Sequence, residues 1–215
     1  MDPTLASRIE ESKTSRILTI TGLALTSLPP LPANLIELNC ADNYLKTLPL
    51  LPQGLQVLQC FCNKLSELPP LPASLIQMDC SYNHLTSIPE LPAMIEEFSC
   101  CYNKLTELPQ LPPSLKYLYF NHNNISAINS LPARLKDFDC SNNQLTSLPL
   151  LPTTLKNLMC SSNKLSDLPY LPTSLNYVYC AENPFDIHFK NIRHYYSGIH
   201  YKVLIQSINA TTKPS

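Results

Sequence analysis

A repeat solenoid, with one short strand and one return segment per turn, is the fold class the sequence predicts, and three observations predict it. The chain repeats every 20 residues, a pair of apolar residues within each repeat has strand spacing, and each repeat opens on a proline-rich segment that cannot be helix. Written in blocks from Leu31, the sequence reads LPANLIELNCADNYLKTLPL, LPQGLQVLQCFCNKLSELPP, LPASLIQMDCSYNHLTSIPE, and onward to residue 190. Leu-Pro opens all of them, at Leu31, Leu51, Leu71, Leu91, Leu111, Leu131, Leu151 and Leu171. Asn recurs in step at Asn43, Asn63, Asn83, Asn103, Asn123, Asn143, Asn163 and Asn183. A period of this length marks a solenoid, in which each unit buries its apolar face on its neighbours.

Each part of the repeat has a physical reading. Leu38 and Cys40 stand two residues apart, so both side chains fall on one face of a strand. One strand of about five residues per repeat, stacked at about 4.8 Å, builds a parallel sheet. The Asn sits where the chain leaves the strand, and its amide can satisfy backbone groups that the sheet leaves unpaired. The LPxLP segment should run extended, as polyproline II, along the convex side, because proline lacks the N–H and disfavours a helical residue before it. In the first repeat Leu23 replaces the Asn, the variation expected where an end must be covered. Residues 4–15 should form a short helix over that end, giving an amino-terminal cap at 1–17 and a solenoid at 18–183. After Asn183-Pro184-Phe185, Phe189, Ile192 and Tyr196 recur at helical spacing, so residues 184–215 read as a carboxy-terminal cap and tail.

The unit LPxLPxxLxxLxCxxNxLxxLP resembles the bacterial LPX class of leucine-rich repeats over residues 18–189. That class occurs in YopM-type effectors and in the amino-terminal half of IpaH-type ubiquitin ligases. The resemblance implies a parallel sheet on the concave face, polyproline II-like convex segments and helical terminal caps. It also implies a non-catalytic protein-binding module: a secreted effector engaging a host protein through its concave face. The alternative is the substrate-recognition arm of an IpaH-type ligase without its catalytic domain. IpaH-type enzymes use a Cys-x-Asp nucleophile, and Cys40-Ala41-Asp42 matches it by accident, since Cys40 belongs to the core.

Composition narrows the partners. With 15 basic and 16 acidic residues the net charge is −1, so no general positive field attracts nucleic acid or anionic lipid. The 21 prolines accompany 44% hydrophobic residues, a content that disordered chains lack. No apolar run is long enough to span a membrane, and the first residues, MDPTLASRIEESKTSR, lack the apolar stretch of a secretory signal. The expected place of action is a reducing cytoplasm, reached without a classical signal if the protein is secreted into a host cell.

The cysteines decide the remaining chemistry. Cys40, Cys60, Cys80, Cys100, Cys140, Cys160 and Cys180 form one inward column, with Phe120 filling the eighth place. In-register strands hold Cβ atoms about 4.8 Å apart, wider than the roughly 3.5–4.5 Å of a disulfide. A line of thiols aimed into an apolar core also lacks the tetrahedral convergence of zinc. The column should therefore be reduced packing, with no metal and no cofactor. Cys101 directly follows an inward residue, so it should point outward and be the most reactive thiol. His84, His122, His188, His194 and His200 show no metal-ligand spacing, and Gly22, Gly54 and Gly198 supply no phosphate loop. The departures in residues 111–130, Phe120 for Cys and Asn129 for Pro, are places where a pocket can form.

Residues flanking the inward pair face solvent on the concave side. The candidate partner-binding residues are Glu37, Phe61, Asp79, Glu97, Tyr117, Tyr119, Asp137, Asp139, Tyr177 and Tyr179. Acid plus tyrosine suits a protein with a basic patch, since tyrosine anchors interfaces and charge steers encounter. It suits phosphate backbones badly. Lys116, Lys136 and Lys156 form a row beside this face, which reads as a solvated edge.

Overall fold

The computed structural model describes residues 3–185 of the chain. One helix, α1 (Pro3–Ser15), is followed by nine strands: β1 (Ile17–Thr19), β2 (Glu37–Asn39), β3 (Val57–Gln59), β4 (Gln77–Asp79), β5 (Glu97–Ser99), β6 (Tyr117–Tyr119), β7 (Asp137–Asp139), β8 (Asn157–Met159) and β9 (Tyr177–Tyr179). All nine lie in one parallel sheet in sequence order. The register is 20 residues at every step, for example Leu38 on Leu58 and Leu118 on Phe138. The fold is the expected leucine-rich-repeat solenoid. Each strand is three residues long rather than five, while backbone hydrogen bonds between turns run on past it, from the Cys40 N–H to the Gln59 carbonyl at 2.8 Å and from the Asp42 N–H to the Phe61 carbonyl at 3.1 Å.

The middle residue of each strand is buried, and the Leu of each return segment meets it from below. Leu35, Leu38, Cys40 and Leu45 are fully enclosed, and the same four columns continue through the solenoid to Val178 and Cys180. Between the strands the proline-rich segments carry neither helix nor strand, as the missing N–H groups require. In the irregular turn, Phe120 is fully buried and its ring meets Phe138 at 5.7 Å and 52°. A larger residue in the Cys column is thus accommodated by a tilted aromatic pair.

The Asn column holds the turns. The Nδ2 of Asn83 donates to the carbonyls of Cys60, at 3.1 Å, and Cys80, at 3.0 Å. Its Oδ1 accepts from the Leu65 N–H at 2.9 Å. The same three bonds recur at Asn63, Asn103, Asn123, Asn143, Asn163 and Asn183. One side chain therefore ties two successive turns. The residue before each Asn is left-handed, from Asp42 at φ 55° to Glu182 at φ 55°. That conformation costs an L-residue roughly 1–2 kcal/mol, which the Asn bonds offset.

At the amino end, α1 covers β1. Proline occupies its first turn, where an N–H would be unpaired, and Lys13 sits in the last turn against the helix dipole. Leu5 and Ser12 are buried and Ile9 packs on the core, a spacing that puts all three on the face toward β1. Arg16, left-handed at φ 64°, ends the helix, and its N–H donates to the Ser12 carbonyl at 2.8 Å. Arg8 Nη1 donates to the Thr19 carbonyl at 2.7 Å, pinning the helix to the strand it covers. The expected carboxy-terminal helix lies outside the described residues, apart from Phe185, which packs against the core. Among the described residues no helix is long and apolar enough to cross a membrane.

Candidate functional site on the concave face

The strand pleat dictates what the concave face displays. In β2 to β9 the first and third residues point away from the core, followed by the residue after Cys. At none of these positions from Glu37 to Ala181 does a Lys, Arg or His occur. The 20-residue register brings Glu97, Tyr117 and Asp137 side by side, with Ser99, Tyr119 and Asp139 in the next column. Glu97, both tyrosines and both aspartates form one continuous patch on β5, β6 and β7. The other candidates stand apart: Glu37 on β2, Phe61 just after β3, Asp79 on β4, and Tyr177 and Tyr179, largely exposed, on β9.

Several carboxylates have structural work as well. Asp79 Oδ1 accepts from the Ser81 N–H and Asp139 Oδ1 from the Ser141 N–H, each at 2.9 Å. Asn39 makes the same turn with Ala41, at 3.2 Å. Glu97 accepts from Gln77 Nε2 at 3.1 Å. Asp137 accepts from the Asn157 amide, while Asn157 Oδ1 is enclosed without a partner. Burial raises the Tyr119 phenol to about 12, with Asp137, Glu97 and Asp139 adding to it, so the hydroxyl stays neutral. On the neighbouring edge, Lys116 is tied to Glu96 at 2.7 Å and holds that carboxyl below its ordinary range. Lys136 and Lys156 are exposed.

A ring ladder borders this face. Tyr82 stacks on Tyr102 at 4.3 Å and 10°, and Tyr102 on His122 at 3.9 Å and 11°. All three are left-handed, at φ 54°, 51° and 57°. Stacking contributes roughly 0.5–1.5 kcal/mol per pair, which helps keep aromatic residues in so disfavoured a conformation. The Asn121 amide nitrogen lies 3.0 Å from His122 Nδ1, joining the ladder to the strand face. The reading of strand residues missed this column. Its signal was a ring directly before Asn83, Asn103 and Asn123, at the 20-residue period.

Cys101 corrects an expectation. It is only 9% exposed, because Ser81 and Ser99 close over it. Its N–H donates to Ser81 Oγ at 3.1 Å, and its Sγ lies 3.7 Å from Ser99 Oγ. Burial pushes its thiol up. None of the nine cysteines is in a disulfide, and Cys62 alone is not buried. Burial and the nearby Asp42 raise Cys62 too. Thiol labelling of the native protein at pH 8 should therefore modify Cys62 first and slowly, with Cys101 protected until unfolding. Rapid labelling of several cysteines in the folded state would show that the column is not enclosed. Among the described residues, no three His, Cys, Asp or Glu side chains gather as a metal site.

On the convex side, a cleft of about 550 Å³ lies between Thr106–Leu111 and Ser126–Ser130, where Asn129 replaces proline. A cleft of about 490 Å³ lies between regular turns, from Leu68 to Ala93. Such grooves are a feature of the repeat, so the irregular turn needs no special function to explain its own.

The twenty-residue turn, the Asn ladder and the open strand face define a leucine-rich-repeat protein. Bacterial leucine-rich-repeat proteins are among the solved structures it is similar to. YopM from Yersinia enterocolitica matches with 30% identity over 85% of this chain and 51% of that one, at a TM-score of 0.62. A Shigella effector leucine-rich-repeat domain matches with 27% identity over 92% and 84%, at 0.68. The functional domain of InlJ from Listeria monocytogenes, which includes a cysteine ladder, matches with 27% identity over 77% and 44%, at 0.60. The chain spans about half the length of the YopM structure. No family model and no curated protein matches the sequence.

Proposed function

We propose that this protein is a non-catalytic effector that enters a host cell, acts in its reducing cytoplasm and binds a host protein through the concave face. The observation that carries the reading is the strand surface itself. Carboxylates and tyrosines occupy it from β4 to β7, and no cationic side chain stands among the outward strand positions. Core packing does not call for this pattern, because these side chains point away from the core, and only Asp79 and Asp139 among the carboxylates hold turns. An acidic, tyrosine-bearing concave surface suits a protein with a basic patch and repels phosphate backbones. The likeness to YopM and to the Shigella effector domain supports the effector role.

Affinity capture from host cytosol tests it. The double variant Tyr117→Ala with Tyr119→Ala should lose the captured protein by a factor of roughly 30 or more, as for anchors worth about 2 kcal/mol. Lys136→Ala should capture it normally. Both variants should melt close to the wild type. If the tyrosine pair captures normally and Lys136→Ala does not, the basic edge is the recognition surface.

The second reading, a recognition arm of an IpaH-type ubiquitin ligase, draws on the match to 84% of the Shigella effector domain. Ubiquitin transfer to the captured protein only when a ligase partner is added would favour it.

A further inference from the structure

We infer that the patch on β5 to β8 is a receptor for an arginine side chain of the bound protein, whose guanidinium lies over Tyr117 and Tyr119 and donates to Glu97, Asp137 and Asn157. This rests on the reading of the concave face as a protein-binding surface, and it names the chemistry that the surface selects.

Three independent features converge on these few residues. The first is charge: Glu97 lies one strand before the tyrosines, and Asp137 and Asp139 one strand after. A group centred over β6 is thus about 5 Å, one strand spacing, from both acidic columns. Among the described residues none of these carboxylates has a Lys or Arg partner, since the two ion pairs are Lys13 with Glu10 and Lys116 with Glu96. The second is the pair of tyrosines, whose ring faces attract a cation. The third is Asn157. Its amide is engaged by Asp137, and its Oδ1 is the one enclosed side-chain polar atom without a partner among the described residues. An unpaired acceptor beside a carboxylate calls for a donor, and a small rearrangement of the Asn157 side chain can present that oxygen to an incoming N–H.

These features select arginine over lysine. The acceptors are spread over β5, β7 and β8, and a planar group with five N–H donors reaches more of them than a single ammonium does. The guanidinium plane also stacks on tyrosine, while the ammonium keeps its hydration. A cluster of carboxylates converging on a point would suit a metal ion, but these are laid out in rows with rings between them.

Fluorescence anisotropy with a labelled hexa-arginine peptide tests the inference, with hexalysine and hexaglutamate peptides as comparisons. Hexa-arginine should bind the wild type at least fivefold more tightly than hexalysine, and hexaglutamate should not bind. Tyr117→Ala with Tyr119→Ala, and Asp137→Asn with Asp139→Asn, should each weaken hexa-arginine at least tenfold. Asparagine preserves the turn at position 139, as Asn39 does at its own position. Glu67→Gln with Glu107→Gln removes the same charge from exposed sites away from the strands and should change binding less than twofold. If that pair weakens binding as much as the aspartate pair, or the tyrosine pair binds like the wild type, the attraction is diffuse and the inference fails. Loss of host-protein capture by the tyrosine pair, without selective hexa-arginine binding, would sink the arginine receptor and leave the protein-binding reading intact. Retained capture by that pair would sink the functional reading instead.

Discussion

Asn143→Ala is expected to destabilise the protein by roughly 3 kcal/mol, because it strips hydrogen-bond partners from buried backbone on two turns. In the wild type, Asn143 Nδ2 donates to the Phe120 carbonyl at 3.1 Å and the Cys140 carbonyl at 3.2 Å. Its Oδ1 accepts from the Ile125 N–H at 3.0 Å. The side chain is 4% exposed, so water cannot take over these bonds without opening the turn. Asn143→Asp should be no milder, since a carboxylate would face the carbonyls that the amide now satisfies. Gln144→Ala, one residue on and exposed, is the comparison and should melt like the wild type. In a solenoid each turn depends on its neighbours, so the lesion should spread to the adjoining repeats. Urea denaturation followed by circular dichroism measures the effect. An unchanged midpoint for Asn143→Ala, with loss of host-protein capture, would make the Asn column a binding element rather than a structural one.

The second large effect is alkaline unfolding. Burial raises the Cys40 thiol to about 12, and those of Cys60, Cys80, Cys100 and Cys140 well above their ordinary value. Cys160 is raised as well, first by its hydrogen bond with Cys180 and then by burial. In the unfolded chain a thiol releases its proton near pH 8.5, whereas the folded column retains it. The unfolded state then binds fewer protons, so stability falls as pH rises. The stability is fully present below about pH 8 and declines above it, by about 1.4 kcal/mol per pH unit for each thiol so held. Six such thiols can exhaust a stability of about 5–15 kcal/mol within a few pH units. The urea midpoint should hold steady from pH 6 to 8 and drop steeply between about 8.5 and 10. Replacing Cys60 and Cys80 by Ala should make the drop shallower while lowering stability at neutral pH through lost packing. A midpoint constant to pH 10 would mean that the thiols ionise without unfolding and that the column is not sealed.

The solenoid, its register and its inside are legible in the repeat alone. A strictly repeated 20-residue unit can bury its Leu and Cys columns only by stacking in step, so Leu38 meeting Leu58 follows from period alone. The outward set followed from the pleat, which is why Glu97, Tyr117, Tyr119, Asp137 and Asp139 were legible as neighbours. Features that depend on packing across turns are not legible there. Cys101 is outward by its place in the strand yet buried, because Ser81, one turn earlier, and Ser99 close over it. Tyr82, Tyr102 and His122 become one stack only because left-handed backbone aims three rings along a spacing near ring thickness. Asp79 and Asp139 hold turns as well as display charge, and Asn157 is left with an unpaired oxygen because Asp137 takes its amide. Alternation assigns a side chain to a face. Whether it is covered there, or finds a partner, depends on side chains 20 residues away meeting across about 4.8 Å.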